Sequence, residues 1–131
     1  MTATDREHEI AIWQALGWRT VAEGTHWHVL REDGSLWLGS LEEHKTVGEF
    51  EAWAYPSPST VELHAWLLVD AVVPSRFPRF SLDFTGICWS GLVWRPTGGG
   101  SLLPSSAPTR PEAITRAIGR ALEWSRRTRR D

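Results

Sequence analysis

Thr109-Arg110-Pro111-Glu112-Ala113-Ile114-Thr115-Arg116-Ala117-Ile118-Gly119-Arg120-Ala121-Leu122 is the stretch on which the fold turns. Thr109 and Glu112 form a capping box, in which a hydroxyl and a carboxylate reciprocally satisfy the orphan amides of a first helical turn, and Pro111 has its φ already set for that turn. Ala113, Ile114, Ala117, Ile118, Ala121 and Leu122 then repeat at three- and four-residue steps, the stripe of a helix laid on a core. Arg116, Arg120, Glu123 and Arg127 fall on the adjoining face. That face is either a solvated charge ladder or a row of guanidinium groups that take phosphate, for which their planar fork is suited.

Working back along the chain, Thr97 to Pro108 is a loop rich in Gly, Ser and Pro. Gly98-Gly99-Gly100-Ser101 has no GK[ST] after it and no strand-turn-helix setting, so it is not a phosphate loop and reads as a mobile connection or a flap. Before it, Arg79 to Phe84 alternates at period two. Ile87 to Trp94 is a more continuous apolar run suited to a central strand, with Thr85-Gly86 as the turn between them. Ser59-Thr60-Val61-Glu62 is another capping box, and Val61, Ala65, Leu68, Val69 and Val72 carry a helix that Pro74 stops. Pro56-Ser57-Pro58 breaks the chain ahead of it. Residues 39 to 58 signal more weakly, with the acids Glu42, Glu43, Glu49 and Glu51 and a loose alternation of Phe50, Trp53 and Tyr55. At the start, Asp5 to Leu16 predicts a helix ended by Gly17. Trp18 to Val21 and Thr25 to Leu30 read as strands, and Glu32-Asp33-Gly34-Ser35 turns into Leu36-Trp37-Leu38. Hairpins between helices define an α+β fold.

The length of 131 residues predicts one domain with one core, ending in a frayed basic tail from about 126 to 131. Nine tryptophans stand against one tyrosine. So many large rings in a small domain cannot all be fully buried, which points to a pocket or a subunit interface and to a homo-oligomer. A net charge of -2 and a pI near 6.2 argue against general nucleic-acid binding, which needs a strongly basic surface. No apolar run approaches the length of a membrane span, and MTATDREHEI has no signal-peptide pattern, so a cytoplasmic setting is expected. Cys88 has no second cysteine to pair with and reads as a buried thiol.

His8, His26, His28, His44 and His64 show no HExxH spacing and no cysteine partners, so no metal site is expected, although His26 and His28 share a strand face. No GxSxG elbow singles out a serine, so no catalytic residue and no cofactor is assigned.

Three segments together resemble the phage ABA sandwich domain family in order and spacing over nearly the whole chain. They are Ala15-Leu16-Gly17-Trp18 after the first helix, Pro56-Ser57-Pro58-Ser59-Thr60 at the head of the middle helix with Ala65-Trp66 inside it, and Ala113-Ile114-Thr115-Arg116-Ala117 in the last. The family usually has serine-threonine-aspartate before an alanine-rich helix start. This chain has Val61-Glu62-Leu63-His64 there, so no role of that aspartate carries over. The resemblance implies a central antiparallel sheet with helices packed on both faces, an αβα sandwich. It also implies kinship with anti-Thoeris sponge proteins of phages, oligomers that sequester cyclic ADP-ribose isomers and in some cases cyclic oligonucleotides.

By that resemblance Arg116 is a phosphate contact, and Trp18, Arg31 and the segment from Phe84 to Trp89 line a pocket. With Ser59 and Thr60 at the middle helix and Arg120 on the last, these are the candidate ligand contacts. The expected function is a phage-encoded, non-catalytic sponge for a nucleotide-derived immune signal, acting in the cytoplasm of an infected bacterium. The alternatives are a module that binds a host or phage protein through exposed tryptophans, and a small nucleotide-cleaving enzyme.

Overall fold

The computed structural model describes residues 5–39 and 46–128, so Glu42, Glu43, His44 and the last three residues lie outside the described part. The fold is α+β. Among the described residues it comprises α1 (Asp5–Ala15), β1 (Arg19–Glu23), β2 (His26–Leu30), β3 (Leu36–Gly39), α2 (Val47–Ala54), α3 (Glu62–Val72), β4 (Phe80–Phe84), β5 (Trp89–Val93), β6 (Ser105–Ala107) and α4 (Arg110–Thr128). The strands form two antiparallel sheets, β1-β2-β3 and β4-β5-β6. The chain divides into two compact units, residues 1–56 and 57–131, each with its own sheet.

In the first unit, α1 ends in a Schellman motif. Gly17 takes φ +102°, its amide bonds the Gln14 carbonyl at 3.0 Å, and the Trp18 amide bonds the Trp13 carbonyl at 3.0 Å. The apolar contact that accompanies such a stop is Trp13 against Trp18, ring centroids 4.6 Å apart, both buried. Residues 46–54 correct the weak reading of that region, because they form a helix. Thr46-Val47-Gly48-Glu49 repeats the capping pattern, and the Thr46 hydroxyl accepts from the Glu49 amide at 3.1 Å. The helix buries Phe50 and Ala54, and Phe50 packs on Trp27 of β2 at 5.9 Å. A register shift between Val29 and Leu30 re-aims Trp37, which donates to the Ala54 carbonyl at 2.9 Å and meets Trp18 at a tilt, ring centroids 5.5 Å apart.

In the second unit, α4 lies on the β4-β5-β6 sheet and α3 packs against α4. The approach is set by small residues: a Cβ at Gly91 would stand 2.9 Å from the Ala117 Cβ and 3.0 Å from the Ala113 carbonyl oxygen. Alternation along the strands puts Trp89, Gly91 and Val93 on the α4 side with their partners Phe84, Leu82 and Phe80.

The structure departs from the sequence expectations at three further places. The middle helix starts at Glu62 with Val61 in the cap position, so Ser59 does not head it. A tight turn instead occupies 58–60, the Val61 amide bonding the Ser57 carbonyl at 2.9 Å. Ile87 and Cys88 belong to the β4–β5 turn rather than to the strand, with Thr85 N–H to the Cys88 carbonyl at 2.9 Å, and Cys88 is half-buried. The loop from Thr97 to Pro108 contains β6, three residues of Ser and Ala too short for a hydrophobic pattern to reveal.

Candidate functional site

The last helix and the hairpin facing it build the groove in the second unit. After β5 the chain turns through Gly98 (φ +83°) and Gly99 (φ +68°), a left-handed pair that glycine adopts without a Cβ clash. The Arg95 amide bonds the Gly100 carbonyl at 2.8 Å and the Leu102 amide bonds the Val93 carbonyl at 2.9 Å, so the triple glycine closes a hairpin. That closure brings Leu102 and Leu103 beside the C-terminal half of α4. There Arg120, Glu123, Trp124 and Arg127, at steps of three and four, share one helix face.

These six residues line an open groove of about 380 Å³. Its walls combine aliphatic side chains, one indole and two guanidinium groups. Arg120 donates to the Ser105 hydroxyl at 3.3 Å, and Arg127 pairs with Glu123 at 2.7 Å. Among the described residues, one carboxylate against two guanidiniums leaves the lining net positive. Among the described residues the lining contains no hydroxyl, thiol or imidazole. Such an arrangement holds a planar ring by stacking and an anionic group by charge-assisted hydrogen bonds.

The predicted contacts distribute unevenly around it. Arg120 lines the groove. Arg116, one turn earlier and exposed, donates to the Ser106 carbonyl at 2.8 Å and pairs with Glu112 at 2.5 Å, which ties its guanidinium to the outer edge of β6. Phe84 and Trp89 meet across the β4–β5 pair with centroids 5.1 Å apart, Phe84 exposed and Trp89 beneath Arg110 at 5.3 Å. Thr60 is exposed, its hydroxyl 3.5 Å from the Ser57 carbonyl, and Ser59 is half-buried in the same turn.

Trp18 and Arg31 belong to the first unit. Trp18 is in the core, and Arg31 lies 5.4 Å over the Trp37 ring. The Trp18 Nε1 and Arg31 Nε atoms are buried with no hydrogen-bond partner among the described residues. In the same unit His26 and His28 share a strand face, and His28 Nε2 stands 3.0 Å from a Glu23 carboxylate oxygen. Among the described residues no three His, Cys, Asp or Glu side chains are placed to hold a metal ion.

Sequence reasoning missed Trp124, Leu102 and Leu103. The signal for Trp124 was present, since it follows Arg120 by four residues on a helix whose stripe was already read. Comparisons with protein-family models, curated proteins and solved structures gave no match. No described helix is long and apolar enough to cross a membrane.

Proposed function

We propose that the protein is a non-catalytic binder of a nucleotide-derived signal, an oligomeric sponge that withholds a cyclic ADP-ribose isomer or a cyclic oligonucleotide from the host effectors it would activate. The observation that supports this most is the groove on α4. Trp124 and the two leucines offer a face for a base or ribose, and Arg120 and Arg127 offer guanidiniums for phosphate within the same 380 Å³. Arg116 extends the positive row by one helical turn. The resemblance to the phage ABA sandwich family supplies the ligand class, and on this reading the protein acts in the cytoplasm of an infected bacterium. A net charge of -2 suits a small discrete anion better than a polymer.

A thermal-shift panel of cyclic ADP-ribose isomers and cyclic di- and trinucleotides tests the proposal, followed by heat release and chromatography of the bound compound. A ligand at 100 times its dissociation constant stabilises the fold by about 2.7 kcal/mol. Release of unaltered ligand supports the sponge. Release of a cleaved product makes the protein an enzyme, and uptake of no nucleotide with capture of a host or phage protein makes it a protein-binding module.

A further inference from the structure

A second surface of the 57–131 unit lies at the head of α4, away from the groove. Arg110 and Glu62 form an ion pair there, each side chain about two-fifths exposed. The Trp66 indole donates to the same Glu62 carboxylate at 3.3 Å and meets Phe80 edge-on at 6.2 Å. On the other side of the pair, the Arg110 guanidinium covers Trp89, which packs on Phe84. This chain of contacts joins the first turns of α3 to the β4–β5 hairpin. Two of its apolar members are open to solvent, Phe84 at 57% and Trp66 at 36%, and they are flanked in sequence by Leu63, 77% exposed beside Glu62 on α3, and by Ile87, 91% exposed in the β4–β5 turn.

We propose that this face is where two copies of the chain meet, with Leu63, Trp66, Phe84 and Ile87 at its core. Aromatic side chains expose on the order of 150–250 Å² when fully open and leucine and isoleucine less, so the uncovered fractions of the four amount to roughly 400–500 Å². A standard interface takes about 800 Å² from each partner, a little over half of it apolar, so the patch is the size one side of a dimer needs. Its charge pattern selects a second copy over a partner of one sign. A two-fold operator presents a surface to itself, and a patch that carries one cation beside one anion offers Arg110 to Glu62 and Glu62 to Arg110 across the axis. The residue types also match those that dominate interface centres, aromatic rings with an arginine among them.

The inference rests on the reading that the protein self-associates, but not on any ligand. The full-length chain is examined by sedimentation equilibrium at micromolar concentration, alone and as the Leu63→Glu and Ile87→Glu single and double variants. Leu36→Glu, at a leucine 57% exposed in the other unit, is the control. Because both target side chains project into solvent, the variants should keep the parent's circular dichroism and melting temperature. The parent and the control are expected at twice 14.8 kDa. The double variant is expected as a monomer, its dimer dissociation constant raised by about 100-fold or more, since each carboxylate would be buried against apolar surface. A monomeric parent would overturn self-association itself. A dimeric parent whose double variant stays dimeric would leave self-association standing and overturn this face.

Discussion

Replacing Gly91 by alanine tests the seat of α4 on its sheet. The added methyl would stand 2.9 Å from the Ala117 Cβ and 3.0 Å from the Ala113 carbonyl oxygen. Non-bonded carbons pack at about 3.5–4.0 Å, so the helix must withdraw by roughly 0.6–1 Å or β5 must bend. Ala113 and Ala117 are both buried, and one of the two obstructing atoms is backbone, which cannot rotate aside. Inserted methyls in packed cores cost about 1–3 kcal/mol, and a backbone obstruction places this one near 3 kcal/mol. For a unit of this size that lowers the melting temperature by roughly 10 °C or more. Thermal melts followed by circular dichroism measure it. The Ala117→Gly change removes the obstructing methyl, though alone it costs about 1 kcal/mol in helix propensity. The double variant should therefore lose less than the sum of the two single losses, by a coupling of about 1 kcal/mol. A Gly91→Ala protein melting within about 2 °C of the parent, or strict additivity in the double variant, would refute the close approach.

Three further outcomes are expected. Arg6 reaches the end of α2, its guanidinium donating to the carbonyls of Ala52 at 2.9 Å, Pro56 at 2.9 Å and Tyr55 at 2.5 Å, so Arg6→Ala should destabilise by about 2–3 kcal/mol in urea denaturation. Arg6→Lys should recover little of this, because an ammonium has no planar fork. In calorimetric titration with whichever nucleotide stabilises the parent, Arg120→Ala should weaken binding about tenfold or more and Arg116→Ala less; equal losses would mean diffuse attraction instead of a seat in the groove. The hydroxyl and amide of Ser35 hold the Asp33 carboxyl below its ordinary value. The stability this adds to the turn is therefore present above the unfolded-state value and lost as pH falls through the lowered one. NMR titration should place Asp33 lower in the parent than in Ser35→Ala, and identical midpoints would refute the assignment.

The elements legible in the sequence were those whose period was long enough to read. The stripe from Ala113 to Leu122 and the alternation from Phe80 to Phe84 each span several repeats, and the structure keeps them as α4 and β4. The Asp-Gly turn before β3 was legible because its chemistry is local, Asp33 accepting from the Ser35 amide at 2.8 Å. α2 was lost because its apolar residues, Phe50, Trp53 and Ala54, also suit a strand, although Thr46 and Glu49 signalled its start. The capping pattern at Ser59 misled for the opposite reason. The Ser57 amide donates to His64 Nδ1 at 2.8 Å, and the turn that follows delays the helix to Glu62. β6 was out of reach, since a three-residue strand is specified by its neighbour and not by itself. The groove was half legible: its arginines lie on a readable helix face, but Leu102 and Leu103 arrive only through the closure of the glycine hairpin.

The same small residues that seat α4 also set what its arginines can reach. With Gly91 beneath Ala117, the helix lies close enough to the sheet for Arg116 to bond the Ser106 carbonyl and for Arg120 to bond the Ser105 hydroxyl. Both acceptors lie on β6, which pairs with β5 through Gly91 and Ser105. Lifting the helix by even 0.6–1 Å would stretch hydrogen bonds of 2.8 and 3.3 Å toward lengths where they contribute little. It would also move Arg120, Trp124 and Arg127 as one body away from Leu102 and Leu103. Packing at the centre of the unit and the width of the groove at its end are thus one quantity. Gly91→Ala should therefore weaken nucleotide binding even at temperatures where the protein remains fully folded, and Ala117→Gly should restore part of it.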